Sequence, residues 1–494
     1  MKEIPQTETK AGQPSEVKPW HVLAFTLAVF ALLFVIMLFF PQNGIKVNDQ
    51  FTLYFPTMAE FFAGDTTVKP DMEEVLAELT APADTMPAKS LEDSLRKSLK
   101  KIQYPNGDRS ILYPVFAALE KARRGPGTSR VIHFGDSQIE GDRMTSLIRV
   151  RLQEKFGGSG PGMVAARPLV KSFSIIQDYS ESMRRYALFA GRDTLVKHRR
   201  YGAMATFSRF SDPFIADSLL VPGDEKTGWV SLSRSGGAYN KSKRYSVLRF
   251  FYGHNHRTFK LKLFLDGTPH QEDSFPASNR FHAKEWHFKQ TPKKVMMIMS
   301  GEDSPNIYGV SLESERGIQV DNVSMRGSSG TVFGGIAYGS LKPMLDVLNV
   351  KLFLLQYGGN TVPYIRSKEA AERYGKDFKR QIAFLKKQVP GAGVIVIGPS
   401  DMAKKVKGKL QSYAHLVDVR DALKQAAFES EAAYFDIYEV MGGQNSMIQW
   451  VEEEEGLAGS DYVHFTPKGA KLIAEKFISS LMEDYEAYQK IKVQ

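Results

Sequence analysis

A serine that attacks an ester needs a base to take its proton and donors to hold the oxyanion that forms. Four short segments of this sequence carry groups of those kinds. Gly135-Asp136-Ser137-Gln138 offers a hydroxyl on a sharp turn. Asp321-Asn322-Val323-Ser324-Met325-Arg326-Gly327 ends in a glycine whose N–H can approach an oxyanion, since no side chain blocks it. Gly358-Gly359-Asn360 offers a side-chain amide after two glycines that let the backbone bend. Asp461-Tyr462-Val463-His464-Phe465-Thr466-Pro467 sets a carboxylate three residues before an imidazole, a pairing that can hold the tautomer able to accept a serine proton. Read singly, each has an ordinary meaning: a helix-capping turn, a loop glycine, a turn, a surface loop. Arg326 is a candidate contact for a substrate carboxylate or one half of a structural ion pair.

The elements around these segments decide whether they can meet. Val131 to Phe134 reads as a short buried strand, and Met144, Leu147, Ile148 and Leu152 repeat at helical spacing until Gly157 and Gly158. Ser137 is therefore expected at a strand-to-helix corner. Val350 to Leu355 is an apolar run that leads into Gly358, and a helix carrying Tyr374, Phe378, Ile382 and Leu385 on one face follows. Gly393 to Ile397 is another buried strand, and a further helix lies near 415–429. Thr466 and Pro467 open a last helix as N-cap and first residue. This alternation predicts an α/β fold, a parallel sheet with flanking helices. Open sheets of that kind take ligands at the C-terminal strand edge, where all four segments fall.

Residues 166–316 differ. Phe259-Lys-Leu261-Lys-Leu263-Phe-Leu265 alternates apolar and polar positions and ends at Asp266-Gly267, a hairpin signal. Arg244 to Tyr252 and Lys294 to Met299 are also strand-like. An all-β sandwich is expected there, splitting the α/β domain into 109–165 and 317–490. Trp229, Tyr239 and Trp286 are candidates for stacking on sugars, though aromatic residues in a sandwich more often fill its core. His254 and His256 form an H-x-H pair without an apparent third metal ligand, so a hairpin tip is the plainer meaning and no metal site is expected.

The 494 residues suit two extramembrane domains, and the net charge of +10 is scattered without a nucleic-acid motif, so no nucleic-acid partner is expected. The chain has no cysteine, which excludes disulfides and a thiol nucleophile. Trp20 to Phe40 is apolar apart from His21 and Thr26, and 21 residues at about 1.5 Å each span the hydrocarbon of a bilayer. Lys2, Lys10 and Lys18 precede this run and only Lys46 follows closely, which keeps the N-terminus in the cytoplasm. The expectation is a cytoplasmic tail (1–18), an uncleaved single-pass signal anchor (19–40), a stalk (41–108) and a catalytic part outside the cytoplasmic membrane. The Ser-x-x-Lys matches near Ser94 to Lys101 lack their companion motifs and read as a solvated helix face, and Glu452 to Glu455 as a solvated helix end.

Together and in this order the four segments resemble the blocks of the SGNH (GDSL) hydrolases, with Gln138 where leucine is usual and Thr361 where aspartate is common. The segments IHFGDSQIEGDR, FGGSGPGM, MGGQNSMIQW and DYVHFTPKGA look like the bacterial branch containing peptidoglycan O-acetylesterases, which carry a carbohydrate-binding-like β-sandwich between the serine and glycine blocks. The resemblance implies a flavodoxin-like SGNH sheet, a Ser137–His464–Asp461 triad and an oxyanion hole from Ser137, Gly327 and Asn360. It implies no cofactor, and removal of acetyl groups from a cell-wall polysaccharide. The same residues would serve an O-acetyltransferase working with a membrane acyltransferase, and a non-catalytic glycan-binding protein is the remaining alternative.

Overall fold

The computed structural model describes residues 19–39, 45–46, 52–53, 101–189, 191, 193–213, 223–453 and 456–493. The expected tail and most of the expected stalk, including its basic stretch after Ser94, lie outside the described residues. The chain divides into two compact units, Met1–Met72 and Glu73–Gln494.

In the first unit Pro19–Phe39 is a 21-residue helix, and Ile45–Lys46 pairs antiparallel with Thr52–Leu53. Leu23, Phe25, Leu27, Phe30, Leu32 and Phe34 are all exposed, so the helix has no polar stripe along this stretch. Among the described residues, which leave out several side chains of this helix, no helix is long and apolar enough to cross a membrane.

In the second unit a five-stranded parallel sheet runs in the order Arg316–Ser324, Gly127–Gly135, Val350–Gln356, Gly393–Ile397, Ala433–Phe435. Numbered along the chain, that order is 2-1-3-4-5, the flavodoxin-like arrangement, whose topological switch lies between the first and third strands. The strands are buried on both faces, because successive side chains point to opposite sides. Val131, Ile318, Leu352, Leu354, Ile395 and Ile397 face the helices Tyr113–Arg124, Thr145–Phe156 and Pro467–Val493. Ile132, Phe134, Phe353, Leu355, Val394 and Val396 face Tyr338–Leu348, Lys368–Gln388 and Leu416–Phe428. The Thr466 hydroxyl accepts from Gly469 N–H at the start of the last helix, and Ile473, Phe477 and Leu481 point inward as their spacing predicts. Ile102 and Tyr104, read from sequence as stalk, are buried against this unit, with Gln103 bridged to Tyr434.

Between the first two strands of the sheet, residues 162–313 form two antiparallel sheets, of five and six strands. The sheets begin slightly before the expected boundary: Gly162–Val164 pairs with Asn306–Glu313. Phe259–Leu265 and Thr268–Phe275 form the expected hairpin, with Asp266 and Gly267 both at positive φ. Leu232, Leu248, Phe250, Leu261, Leu263 and Met297 fill the space between the sheets. Trp286 is buried with its indole N–H on Asp273, which removes it as a sugar platform, and Trp229 is half-buried. His254 is a core histidine bonded through Nδ1 to the Tyr308 hydroxyl at 2.6 Å. One face of the insertion joins the α/β core itself: Tyr186, Phe207 and Tyr308 belong to the same apolar cluster as Met344 and Phe353. The insertion is thus packed against the sheet that carries Ser137.

Candidate active site

The Gly127–Gly135 strand brings the chain to the switch point, where Asp136 and Ser137 leave the sheet edge. The turn is not the simple strand-to-helix corner expected from sequence. A short 3-10 segment, Ser137–Asp142, intervenes before Thr145–Phe156, because Glu140 is extended and Gly141 and Asp142 both take positive φ. A buried clamp holds this turn. Arg149 donates to Asp142 Oδ2 and Oδ1 at 2.5 and 3.0 Å and to the Val320 carbonyl at 2.6 Å. The serine turn is thereby tied to the neighbouring strand.

The fourth segment arrives from the other end of the chain. Ser137 Oγ lies 2.8 Å from His464 Nε2, and His464 Nδ1 lies 2.7 Å from Asp461 Oδ2. Asp461 Oδ1 also accepts from the backbone N–H of Val463 and His464 at 2.9 and 3.0 Å. Burial works against a charge on Asp461, but the hydrogen bonds from the His464 ring and from these two N–H groups outweigh it and hold the carboxyl at about 2. Asp461 is therefore an anion at neutral pH. It accepts from Nδ1–H, which leaves Nε2 as the lone-pair nitrogen facing the hydroxyl.

The second and third segments lie beside the same turn. Met325 N–H donates to the Gly135 carbonyl at 2.7 Å, and the Asn322 side chain donates to the Ile139 carbonyl at 2.9 Å. Gly327 sits at φ +75°, with open space where a Cβ would stand. This left-handed backbone conformation favours glycine there. Asn360 donates through Nδ2 to the Ser328 carbonyl at 3.2 Å, which joins the glycine segment to the asparagine segment. Arg326 forms a two-pronged ion pair with buried Glu140, Nε to Oε1 at 2.8 Å and Nη2 to Oε2 at 2.6 Å. Of its two sequence meanings the structure displays the ion pair, although the side chain stays half-exposed at 54%.

Two site residues receive no role from the sequence. Asp136 is fully buried, and burial pushes its carboxyl up to about 6. Gln138 is the more informative one. Its Nε2 donates to the Val463 carbonyl at 2.6 Å, and its Oε1 accepts from Phe465 N–H at 3.2 Å. One amide thus grips the backbone on both sides of His464. The departure from the usual leucine is the signal that could have found it. Gln138 acts as a positioning residue: Gln138→Leu is expected to lower kcat about tenfold with KM little changed, the signature of a misplaced base. Steady-state kinetics on an aryl acetate checks this, and a parallel loss in KM would contradict it.

A flavodoxin-like parallel sheet, a serine at its switch point and the paired histidine and aspartate before the last helix define a protein of the SGNH hydrolase fold. Among solved structures, the chain is similar to a peptidoglycan O-acetylesterase at 20% identity, with 78% of this chain and 99% of that one covered and a TM-score of 0.59. That likeness is one of fold. A family two carbohydrate esterase from Clostridium thermocellum in complex with cellohexaose matches at 10% identity over 52% of this chain and 92% of that one, with a TM-score of 0.23. A second one, from Cellvibrio japonicus, matches at 8% over 63% and 98%, with a TM-score of 0.24. These two superpositions are too loose to bear on function. No protein-family model and no curated protein matches the chain.

Proposed function

We propose that the protein is a membrane-anchored serine esterase that removes O-acetyl groups from a cell-envelope polysaccharide, with peptidoglycan as the favoured polymer. The observation that carries this reading is the hydrogen-bonded series from Ser137 Oγ through His464 to the Asp461 carboxylate, with links of 2.8 and 2.7 Å. His464 Nε2 takes the serine proton as Oγ attacks the acetyl carbonyl, and Asp461 steadies the resulting imidazolium. The N–H groups of Ser137 and Gly327 and the Asn360 amide receive the oxyanion. His464 then gives its proton to the departing sugar hydroxyl, leaving an acetyl-serine. Water, deprotonated by the same nitrogen, attacks that ester, and collapse returns the proton to Oγ and releases acetate.

The choice of a glycan ester is supported by the shared fold with a peptidoglycan O-acetylesterase across nearly the whole of that chain. Anchoring with the catalytic part on the outer side of the cytoplasmic membrane is supported by the apolar run from Trp20 to Phe40 and by the lysines that precede it. The test is acetate release from purified wall polymer by the full chain in detergent. Release with one new polymer hydroxyl per acetate is expected. Acetate that appears on an added acceptor glycan instead of in solution would make the protein a transferase.

A further inference from the structure

The β insertion places a charged group beside the candidate active site. In the Arg184–Ala187 strand, side chains alternate, so Arg184 turns outward to Asp212 while Arg185 turns the other way. There Arg185 lines two adjoining pockets, which also share Leu169. One of them is bordered by Asn322, Val323 and Ser324 of the glycine segment. The other, of about 360 Å³, lies between Arg185, Phe189 and Asp193 of the insertion and Arg326. Arg326 is the residue just before Gly327, so one wall of this second pocket is a single residue along the chain from a proposed oxyanion donor.

In its wall two guanidinium groups, Arg185 and Arg326, stand with one carboxylate, Asp193. Glu140 is the carboxylate whose field reaches Arg143, Arg185 and Arg326 together. Arg326 takes both of its oxygens, and Arg143 donates to the Glu140 and Phe465 carbonyls instead. Asp193 uses Oδ1 to accept from Leu195 N–H. The Arg185 guanidinium packs over the Phe189 ring at 5.4 Å and forms no ion pair with a described carboxylate. Burial lowers its pKa, the mark of a cation held out of water without a full counter-charge. A partly buried guanidinium with free N–H donors in an open pocket suits a planar anion.

We infer that Arg185, with Arg326 across the pocket, forms a subsite for a carboxylate borne on the acylated glycan, so that the insertion selects acidic over neutral polymers. This rests on the esterase reading, and it names the substrate class for the same site. The contact between insertion and catalytic sheet is apolar and continuous, so the distance from Arg185 to Ser137 is set by packing rather than by a hinge.

The full chain would be assayed on an O-acetylated polyuronate and on the same polymer with its carboxylates converted to neutral amides. The ratio of the two kcat/KM values is expected to be about tenfold in favour of the acidic polymer, near one for Arg185→Gln, and intermediate for Arg185→Lys. A wild-type ratio near one, or an Arg185→Gln loss that is equal on both polymers, would overturn the subsite. Binding of both polymers to Ser137→Ala by calorimetry separates this from the esterase reading. No turnover but preferential binding of the acidic polymer, lost on adding Arg185→Gln, would keep the subsite and sink the esterase; turnover without that preference would do the reverse.

Discussion

Ser137→Ala is expected to lower kcat for acetate release by about 10⁴-fold or more while the protein stays folded and still binds polymer. The size follows from the chemistry. Without Oγ the acyl-enzyme route is closed, and only the oxyanion donors and substrate binding remain to help water attack directly. Ser137 lies on a turn whose shape is maintained by other groups, namely the Arg149–Asp142 clamp and the Gln138 N–H on Asp136 Oδ1. Removing one hydroxyl therefore leaves the fold intact. The check is single-turnover acetate release together with labelling by a fluorophosphonate, which the alanine variant should escape. Undiminished acetate release by that variant would end the serine mechanism.

Asp461→Asn is expected to cost about 10²- to 10⁴-fold in kcat with a smaller change in KM. An asparagine that presents its NH₂ to Nδ1 would favour the tautomer that protonates Nε2, the nitrogen that has to receive the serine proton. The lower end of the range reflects exposure: the Asp461 side chain is 52% exposed, so water can partly replace it. The pH dependence follows from the carboxyl being held at about 2 by the His464 and backbone N–H bonds that overcome its burial. Asp461 stays ionised throughout the working range, so its titration does not set the acid limb of kcat/KM. Because the folded value lies below the unfolded one, the same interaction adds stability above the ordinary carboxylate range and loses it as pH falls toward about 2. An acid limb well above about pH 2 that disappeared in Asp461→Asn would contradict this assignment.

The site and the fold were legible to different degrees. Ser137, Gly327, Asn360, Asp461 and His464 could be picked out because each falls at the end of a strand pattern or just before a helix start, and local periodicity is written in neighbouring residues. The parallel sheet and its helices could be read for the same reason, as could the hairpin at Asp266-Gly267. Arg326 could not be assigned, since its partner Glu140 is 186 positions away. Trp286 could be read as core or as a sugar platform and His254 as a hairpin tip; both proved to be core, because burial depends on what the other sheet of the sandwich brings over them.

By itself the sequence determined the alternation of elements, the apolar segment near the start and the inventory of candidate hydroxyl, imidazole, carboxylate and amide groups. Tertiary structure alone decided the 2-1-3-4-5 strand order, the meeting of Ser137 with His464 across 327 positions, the grip of Gln138 on the histidine loop and the placing of Arg185 beside Arg326. The reason is physical: short-range pattern fixes which way a residue points within its own strand or helix. Which side chains then share a pocket depends on how apolar faces from distant segments are buried together, and no local spacing encodes that.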